Sequence, residues 1–368
     1  MCSALFNGPA RLWHAGKRIL TRATARVAAG LAPPVPYQPL FVTLEMVCLA
    51  RAYYVVAELG IADLLRNGPK TCGELAAAVG GDEPTLFRIL RTLAAFDVFA
   101  DDGRGRFALR PHGWSLLSDA PVSDRHWTML AGSNAFWQAY GQALEMAKTG
   151  RPAFELAHGQ PVYRHFLEHA LLHETFRKGM SGWTDWQCRE VVRRYDFRRF
   201  GTVVDVGGGI GSLILEILRR CPKTRGVLYD QPETAERARP RVAQEGFADR
   251  CDVIGGSFLE SVPADADAYV LKHVLRDWSD ADAVTILRRC HAAMPPHATL
   301  LVVDALLDPR NGRDRLVKLI DLEQMFICGG GVRTPAEYDR LFAESGFRRR
   351  RTLHTRVVDA AILEAGKA

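Results

Sequence analysis

Residues 202–213 read TVVDVGGGIGSL, a β-branched run that gives way to a glycine cluster and then to an apolar helix start. Glycine lets backbone amides approach a ligand closely, and a helix N-terminus presents such amides to it. A glycine run alone is a weak sign of a nucleotide, but two acids sharpen it here. Asp205 stands two residues before Gly207, and Asp230 closes the next β-rich run 23 residues after Gly207. An acid in that second place takes ribose hydroxyls in Rossmann-type sites. A dinucleotide fits less well, because its pyrophosphate is repelled by an anion beside the loop and the spacing is GxGxG rather than GxGxxG. S-adenosylmethionine carries an ammonium and a sulfonium, which suit Asp205. The loop therefore reads as a site for that cofactor.

Outward from the loop, β-rich runs at 202–206, 226–229, 252–254, 268–271 and 299–303 alternate with helical runs such as 213–220 and 282–294. This alternation predicts a mostly parallel sheet covered on both faces, assigned to residues 199–368. Residues 120–198 read as helical and aromatic-rich, a linker and acceptor-pocket region. Residues 37–119 read as a winged helix. Leu44, Val47, Ala50, Tyr54 and Ala57 mark one helical face, Thr71 and Glu74 form a capping box, and Asp82 opens a second helix. Two β-rich runs around Asp101-Asp102-Gly103-Arg104-Gly105 make the wing.

A winged helix that reads DNA needs a polar outer face on its second helix. Here that helix carries Leu86, Phe87, Ile89, Leu90, Leu93 and Phe96, and only Arg88 and Arg91 could reach phosphate. The segment is therefore expected to make a homodimer rather than to bind nucleic acid. The charge agrees. Of the net +6 over 368 residues, Arg11, Lys17, Arg18, Arg22 and Arg26 supply five, and residues 1–44 hold no acid. The rest is nearly neutral. The extension 1–36 reads as a poorly ordered segment or an arm packed on a partner, or else as a basic amphipathic helix at a membrane surface or a transit-like segment. No uninterrupted apolar run is long enough to span a bilayer. The eight cysteines show no CxxC spacing and read as reduced, buried thiols, which suggests a cytoplasmic protein without a cysteine metal site.

DVGGGIGSL, LYDQP, CDVIGGSFLESVP, YVLKHVLRDWSDADAVTILRRC and GGGVRTPAEYDRLFAESGF follow in order. Together they resemble the plant caffeate-type and bacterial antibiotic-type small-molecule O-methyltransferases over about residues 40–365. The resemblance implies a class I, Rossmann-like methyltransferase domain preceded by an all-helical winged-helix dimerisation domain. It implies methyl transfer from S-adenosylmethionine to a hydroxyl of a small aromatic or polyketide-like metabolite. Asp205, Gly207 and Gly209 resemble the loop that holds the methionine part, and Asp230 the ribose acid. Ser257 and Phe258 fall beside the adenine, Lys272 and Trp278 near the cofactor, and Met180, Phe176 and Met325 at the acceptor.

Three positions depart from the family pattern. Ser257 replaces an acid before the aromatic. Arg276, in RDW, replaces the plant members' basic histidine. Val332 replaces an acid that orients that histidine, while Asp304 resembles a second such acid. An ordinary phenol, of pKa about 10, is ionised to about one part in a thousand at pH 7. A general base supplies about 10²–10⁴-fold. Without it, Arg276 and Asp304 become the expected groups that polarise the acceptor, with His273 a substitute base. The departures leave two further classes open: a homologue diverted to hydroxylation or rearrangement, and a winged-helix regulator that senses S-adenosylmethionine.

Overall fold

The computed structural model describes residues 38–120, 122–308 and 315–368, so the extension 1–36 lies outside the described residues. The chain forms two compact units. Of the described residues, one comprises those up to Ser133 together with Glu174–Gly179, the other those in Asn134–His173 and Met180–Ala368. The segment 120–198 is thus divided between the two rather than standing as a region of its own. Its helix Ala170–Arg194 contributes to both.

The first unit is built on the helices Gln38–Glu58, Cys72–Val79 and Glu83–Ala95. The capping box forms: the Thr71 hydroxyl accepts from the Glu74 amide at 3.1 Å, and Glu74 accepts from the Thr71 amide at 2.7 Å. The unit is not wholly helical. Strands β1 (Lys70–Thr71), β2 (Phe99–Asp101) and β3 (Arg106–Leu109) form an antiparallel sheet in the order β1-β3-β2. The wing turn needs the left-handed Gly103 and Gly105.

Leu86, Leu90 and Leu93 are core residues of this unit, and Phe87 and Ile89 pack against them. The apolar second helix is therefore largely satisfied within its own unit. A row of exposed apolar side chains lies instead on Gln38–Glu58, where Phe41, Leu44 and Val47 stand three residues apart. Along the helical face read from the sequence, Ala57 is buried and Tyr54 half-buried, while Leu44, Val47 and Ala50 are exposed. Cys48 on the same helix is exposed, against the expectation of a buried thiol; Cys72, Cys188, Cys221, Cys251 and Cys290 are buried.

The second unit carries β4 (Thr202–Val206), β5 (Arg225–Asp230), β6 (Cys251–Gly255), β7 (Ala268–Lys272), β8 (Thr299–Asp304), β9 (Phe347–Leu353) and β10 (Ala361–Lys367), in the order β6-β5-β4-β7-β8-β10-β9. The first five run parallel, and β10 runs antiparallel to both of its neighbours. Order reverses at β4, so the crevice at the C-terminal ends of β4 and β7 is where ligands bind in such sheets. The sheet core is apolar on both faces, with Val203, Leu228, Val270 and Leu301 on one and Val204, Tyr269, Leu271 and Val302 on the other.

The last two strands escape a reading by composition. β9 is FRRRRTL, and an edge strand tolerates that row of cations. β10 buries Glu364, whose carboxylate accepts from the Tyr195 hydroxyl at 2.9 Å and Arg351 Nε at 2.8 Å.

Leu90 is fully buried. Leu90→Ala is expected to destabilise the first unit by about 2–5 kcal/mol, read as a lowered denaturant midpoint. An unchanged midpoint would show that the cavity collapses.

Candidate active site

The loop after β4 is shaped by its glycines. Gly207, Gly209 and Gly211 all have positive φ, at 71°, 60° and 87°. A Cβ on Gly207 would meet Val274 Cγ2 at 2.8 Å and the Phe258 ring at 3.5 Å, whereas a Cβ on Gly209 would meet nothing within 4 Å. The loop is therefore packed on one side and open at Gly209. Asp230, at the end of β5, accepts from the Gly209 amide at 2.8 Å with one oxygen and from the Gln231 amide at 2.8 Å with the other. Each oxygen keeps a further lone pair for a hydroxyl. Burial raises the Asp230 carboxyl above its usual range, opposed by those two amides.

Asp205 is buried and accepts from the Ile214 amide at 3.2 Å. Burial pushes its carboxyl up to about 7, with Lys272 pulling the other way. A buried carboxyl in that state is stabilised in its charged form by a cation. The site thus meets the demands of an ammonium-bearing, ribose-bearing ligand. Phe258 and Trp278 pack edge to face with centroids 5.6 Å apart. Ser257 carries no acid, and its backbone carbonyl accepts from the Glu260 and Ser261 amides.

Lys272 and His273 end β7 in a polar chain. Lys272 Nζ donates to Gln187 Oε1 at 2.9 Å, and Gln187 Nε2 donates to Asp359 Oδ2 at 2.8 Å. His273 Nε2 donates to the Asp359 carbonyl at 2.8 Å, and its Nδ1 lies 3.3 Å from Lys272 Nζ. Burial, reinforced by Arg276 and Lys272, holds the His273 imidazole well below its usual pKa. Both ring nitrogens are occupied and the ring stays neutral, so His273 supports the β7 end and is not placed as a free base.

The short 3₁₀ turn Leu275–Asp277 and Trp278 hold the residues that replace the family's basic motif. Arg276 is 9% exposed, and its Nε and Nη1 are buried without a hydrogen-bond partner. Its nearest counter-ion oxygen is Asp304 Oδ1, 3.8 Å from Nη1. Asp304 is fully buried, with one oxygen accepting from the Ala305 amide and the other from the Tyr338 hydroxyl, both at 2.9 Å. It therefore anchors Arg276 rather than facing an acceptor. Val332, where the plant pattern has an acid, packs with Ala305 and Val317.

Sequence reading missed Arg333 and Tyr163. Arg333 Nη1 donates to the Leu275 carbonyl at 2.7 Å, Nη2 to the Trp278 carbonyl at 2.7 Å, and Nε to Asp280 at 2.8 Å. The glycines just before it explain the close approach, since a Cβ on Gly330 would lie 2.0 Å from the Arg276 carbonyl oxygen. GGGVRT carried that signal. Tyr163 donates to Asp277 Oδ2 at 2.6 Å from the helix Val162–Glu168, and nothing in its local sequence marks it. Of the expected acceptor residues, Met180 and Met325 belong to the second unit and Phe176 to the first.

The O-methyltransferase domain model matches residues 137–348, and the O-methyltransferase dimerisation domain model matches residues 43–119. The chain is 39% identical over 307 residues to phenazine O-methyltransferase PhzM of Lysobacter antibioticus, covering 83% of this chain and 89% of that protein. It is 35% identical over 299 residues to aclacinomycin 10-hydroxylase RdmB of Streptomyces purpurascens, covering 80% of each. The structure of the mitomycin 7-O-methyltransferase MmcR superposes with a TM-score of 0.85 at 36% identity, covering 94% of this chain and 99% of that one.

Asp230→Ala removes two charge-assisted hydrogen bonds, each about 1.5–3 kcal/mol. S-adenosylhomocysteine should bind at least tenfold more weakly by calorimetry, and an unchanged affinity in a folded variant refutes the ribose site. A pH test addresses Asp205. Its raised pKa means that a cationic ligand must draw the carboxyl into its charged form. S-adenosylmethionine affinity should therefore rise as pH increases through about 7, and Asp205→Asn should flatten that dependence.

Proposed function

This chain belongs to the O-methyltransferase family, and on that premise we propose that it methylates the hydroxyl of a small aromatic or polyketide-like metabolite with Arg276 as the group that stabilises the acceptor oxygen. S-adenosylmethionine is the methyl donor, and when bound it supplies an activated methyl group on a sulfonium. Asp230 takes the ribose hydroxyls, Asp205 the ammonium, and Gly207, Gly209, Phe258, Lys272 and Trp278 form the rest of the cofactor's surroundings. Within the second unit, Met180 and Met325 are assigned to the acceptor. The dimerisation domain supports a homodimer, and the exposed face of Phe41, Leu44 and Val47 is the surface we assign to it.

One observation carries the role of Arg276: a buried guanidinium with two nitrogens left without partners. Unmade hydrogen bonds of a buried charged group cost several times a formed one. An oxyanion placed there satisfies them. A guanidinium cannot accept a proton near neutral pH, so Arg276 acts by donating hydrogen bonds and positive potential. Holding the acceptor as its anion offsets the roughly 4 kcal/mol needed to ionise a phenol at pH 7, at about 1.36 kcal/mol per pKa unit. The rest of the rate comes from alignment and from excluding water.

The same arginine supports a second reading, in which the fold is diverted to hydroxylation. Arg276 would then stabilise an enolate, as a fixed cation can, and the 35% identity to a hydroxylase favours keeping this reading. S-adenosylhomocysteine formed in step with product decides for methyl transfer; product without it decides for the diverted chemistry.

Arg276→Ala should lower turnover of a phenolic panel with labelled S-adenosylmethionine by about 10²-fold, as loss of an oxyanion donor does. Cofactor affinity should barely move. Arg276→His should retain methyl transfer with a pH dependence near 6.5. Full activity in Arg276→Ala would make the residue a packing arginine.

A further inference from the structure

With the histidine position occupied by an arginine and His273 tied up on both nitrogens, the acceptor's proton has no destination among the groups considered so far. The turn that carries Arg276 offers one. Asp277 is half-buried beside it, and its two oxygens differ. Oδ2 is held by the Tyr163 hydroxyl at 2.6 Å, while Oδ1 takes no hydrogen bond from any described residue. Tyr163 comes from a different element, the helix Val162–Glu168. The arrangement therefore pins one oxygen and leaves the other directed by that pin.

We propose that Asp277 Oδ1 accepts the proton of the acceptor hydroxyl, with Tyr163 as the positioning residue that orients the carboxylate. This rests on the reading of Arg276 as the oxyanion partner. The acceptor O–H bond breaks, its proton passes to Oδ1, and the electron pair stays on the acceptor oxygen beside Arg276. That oxygen then forms the new bond to the donor's methyl carbon as the carbon–sulfur bond breaks and its electron pair goes to the sulfonium sulfur, and the Asp277 carboxylic acid returns its proton to water. Arg276 and Asp277 are consecutive, so the pair meets one O–H from the same turn: the cation facing the oxygen, the carboxylate facing the proton.

The surroundings of Asp277 suit the task. Burial raises its carboxyl to about 6, with Arg276 and the Tyr163 hydroxyl opposing and Asp304 adding to the rise. Cys328 and Glu323 also face this cluster, both raised chiefly by burial, and behind Arg276 and Asp304 stand His273, Asp359, Arg333 and Tyr338. A carboxylate near 6 is a stronger base than an ordinary one and is still mostly ionised at pH 7. Against a phenol of pKa about 10 the transfer is uphill by about 10⁴. The Arg276 guanidinium narrows that gap by stabilising the anion.

The test uses the full-length protein with a panel of phenols as methyl acceptors, the kinetics being read on the phenol that the wild type methylates fastest. In the wild type, kcat should rise with pH along one limb set by Asp277, because only the carboxylate accepts a proton. Asp277→Asn should lower kcat by about 10²-fold or more, leave S-adenosylhomocysteine affinity unchanged, and lose that limb. Asp277→Glu should recover part of the rate. Tyr163→Phe removes a donor to the charged form, so its limb should move to higher pH while KM changes less than kcat. A merely structural Tyr163 would alter stability without moving the limb. Infrared titration of the S-adenosylhomocysteine complex supplies a readout free of turnover: a protonated-carboxyl band lost in Asp277→Asn and titrating higher in Tyr163→Phe. A wild-type pH profile in Asp277→Asn, or an unmoved limb in Tyr163→Phe, overturns the proposal. So does failure of the wild type to methylate any phenol of the panel while S-adenosylhomocysteine still binds. Loss of that binding as well overturns the cofactor reading beneath it.

Discussion

The grip of Arg333 on the turn at 275–280 is the contact on which the chemistry depends. One guanidinium satisfies the carbonyls of Leu275 and Trp278 and the carboxylate of Asp280. A planar fork can do this because its donors are fixed relative to one another; a lysine cannot. The contact requires the chain at 329–331 to lie against the turn, and only glycine at 330 permits the approach. Fixing that turn sets Arg276, Asp277 and Trp278 together, so one clamp orients the proposed oxyanion partner, the proposed proton acceptor and one proposed wall of the cofactor site.

The electrostatics of the second unit follow from how few cations serve its buried acids. Arg276 is shared by Asp304 and Asp277, and Lys272 is the cation nearest Asp205. Each carboxyl lies above its usual range because burial outweighs its partner. Removing the cation from such a group is far costlier than the pair is stabilising. The buried acids near the loop and the turn are therefore held in a state that a cationic ligand or a mobile proton readily changes.

The parallel core and the cofactor loop were legible because their signals are local. A β-branched run followed by glycines has one structural outcome, and Asp205, Gly207, Gly209 and Asp230 sit where their spacing puts them. The site's other half was not legible, because it depends on tertiary partners. His273 reads as a base until Asp359 and Lys272 take its nitrogens. Asp304 reads as catalytic until the fold buries it fully against Tyr338 and Arg276. Tyr163 is unmarked in its own segment and gains meaning only through a residue 114 positions away. The apolar helix Glu83–Ala95 suggested a surface for a partner, but three of its leucines fill the core of their own unit.

The position of β10 bears on how the chain comes to be folded. This strand lies between β8 and β9, although it is made after both. Until it emerges during synthesis, β8 presents the apolar run Leu300–Leu301–Val302–Val303 as an open edge, and β9 has no neighbour at all. Such an edge invites association with other nascent chains. The four consecutive arginines of β9 would act on that hazard as gatekeepers, since like charges resist pairing of one β9 with another. On this view the cations that hid β9 from a reading by composition protect the sheet during the interval before it closes.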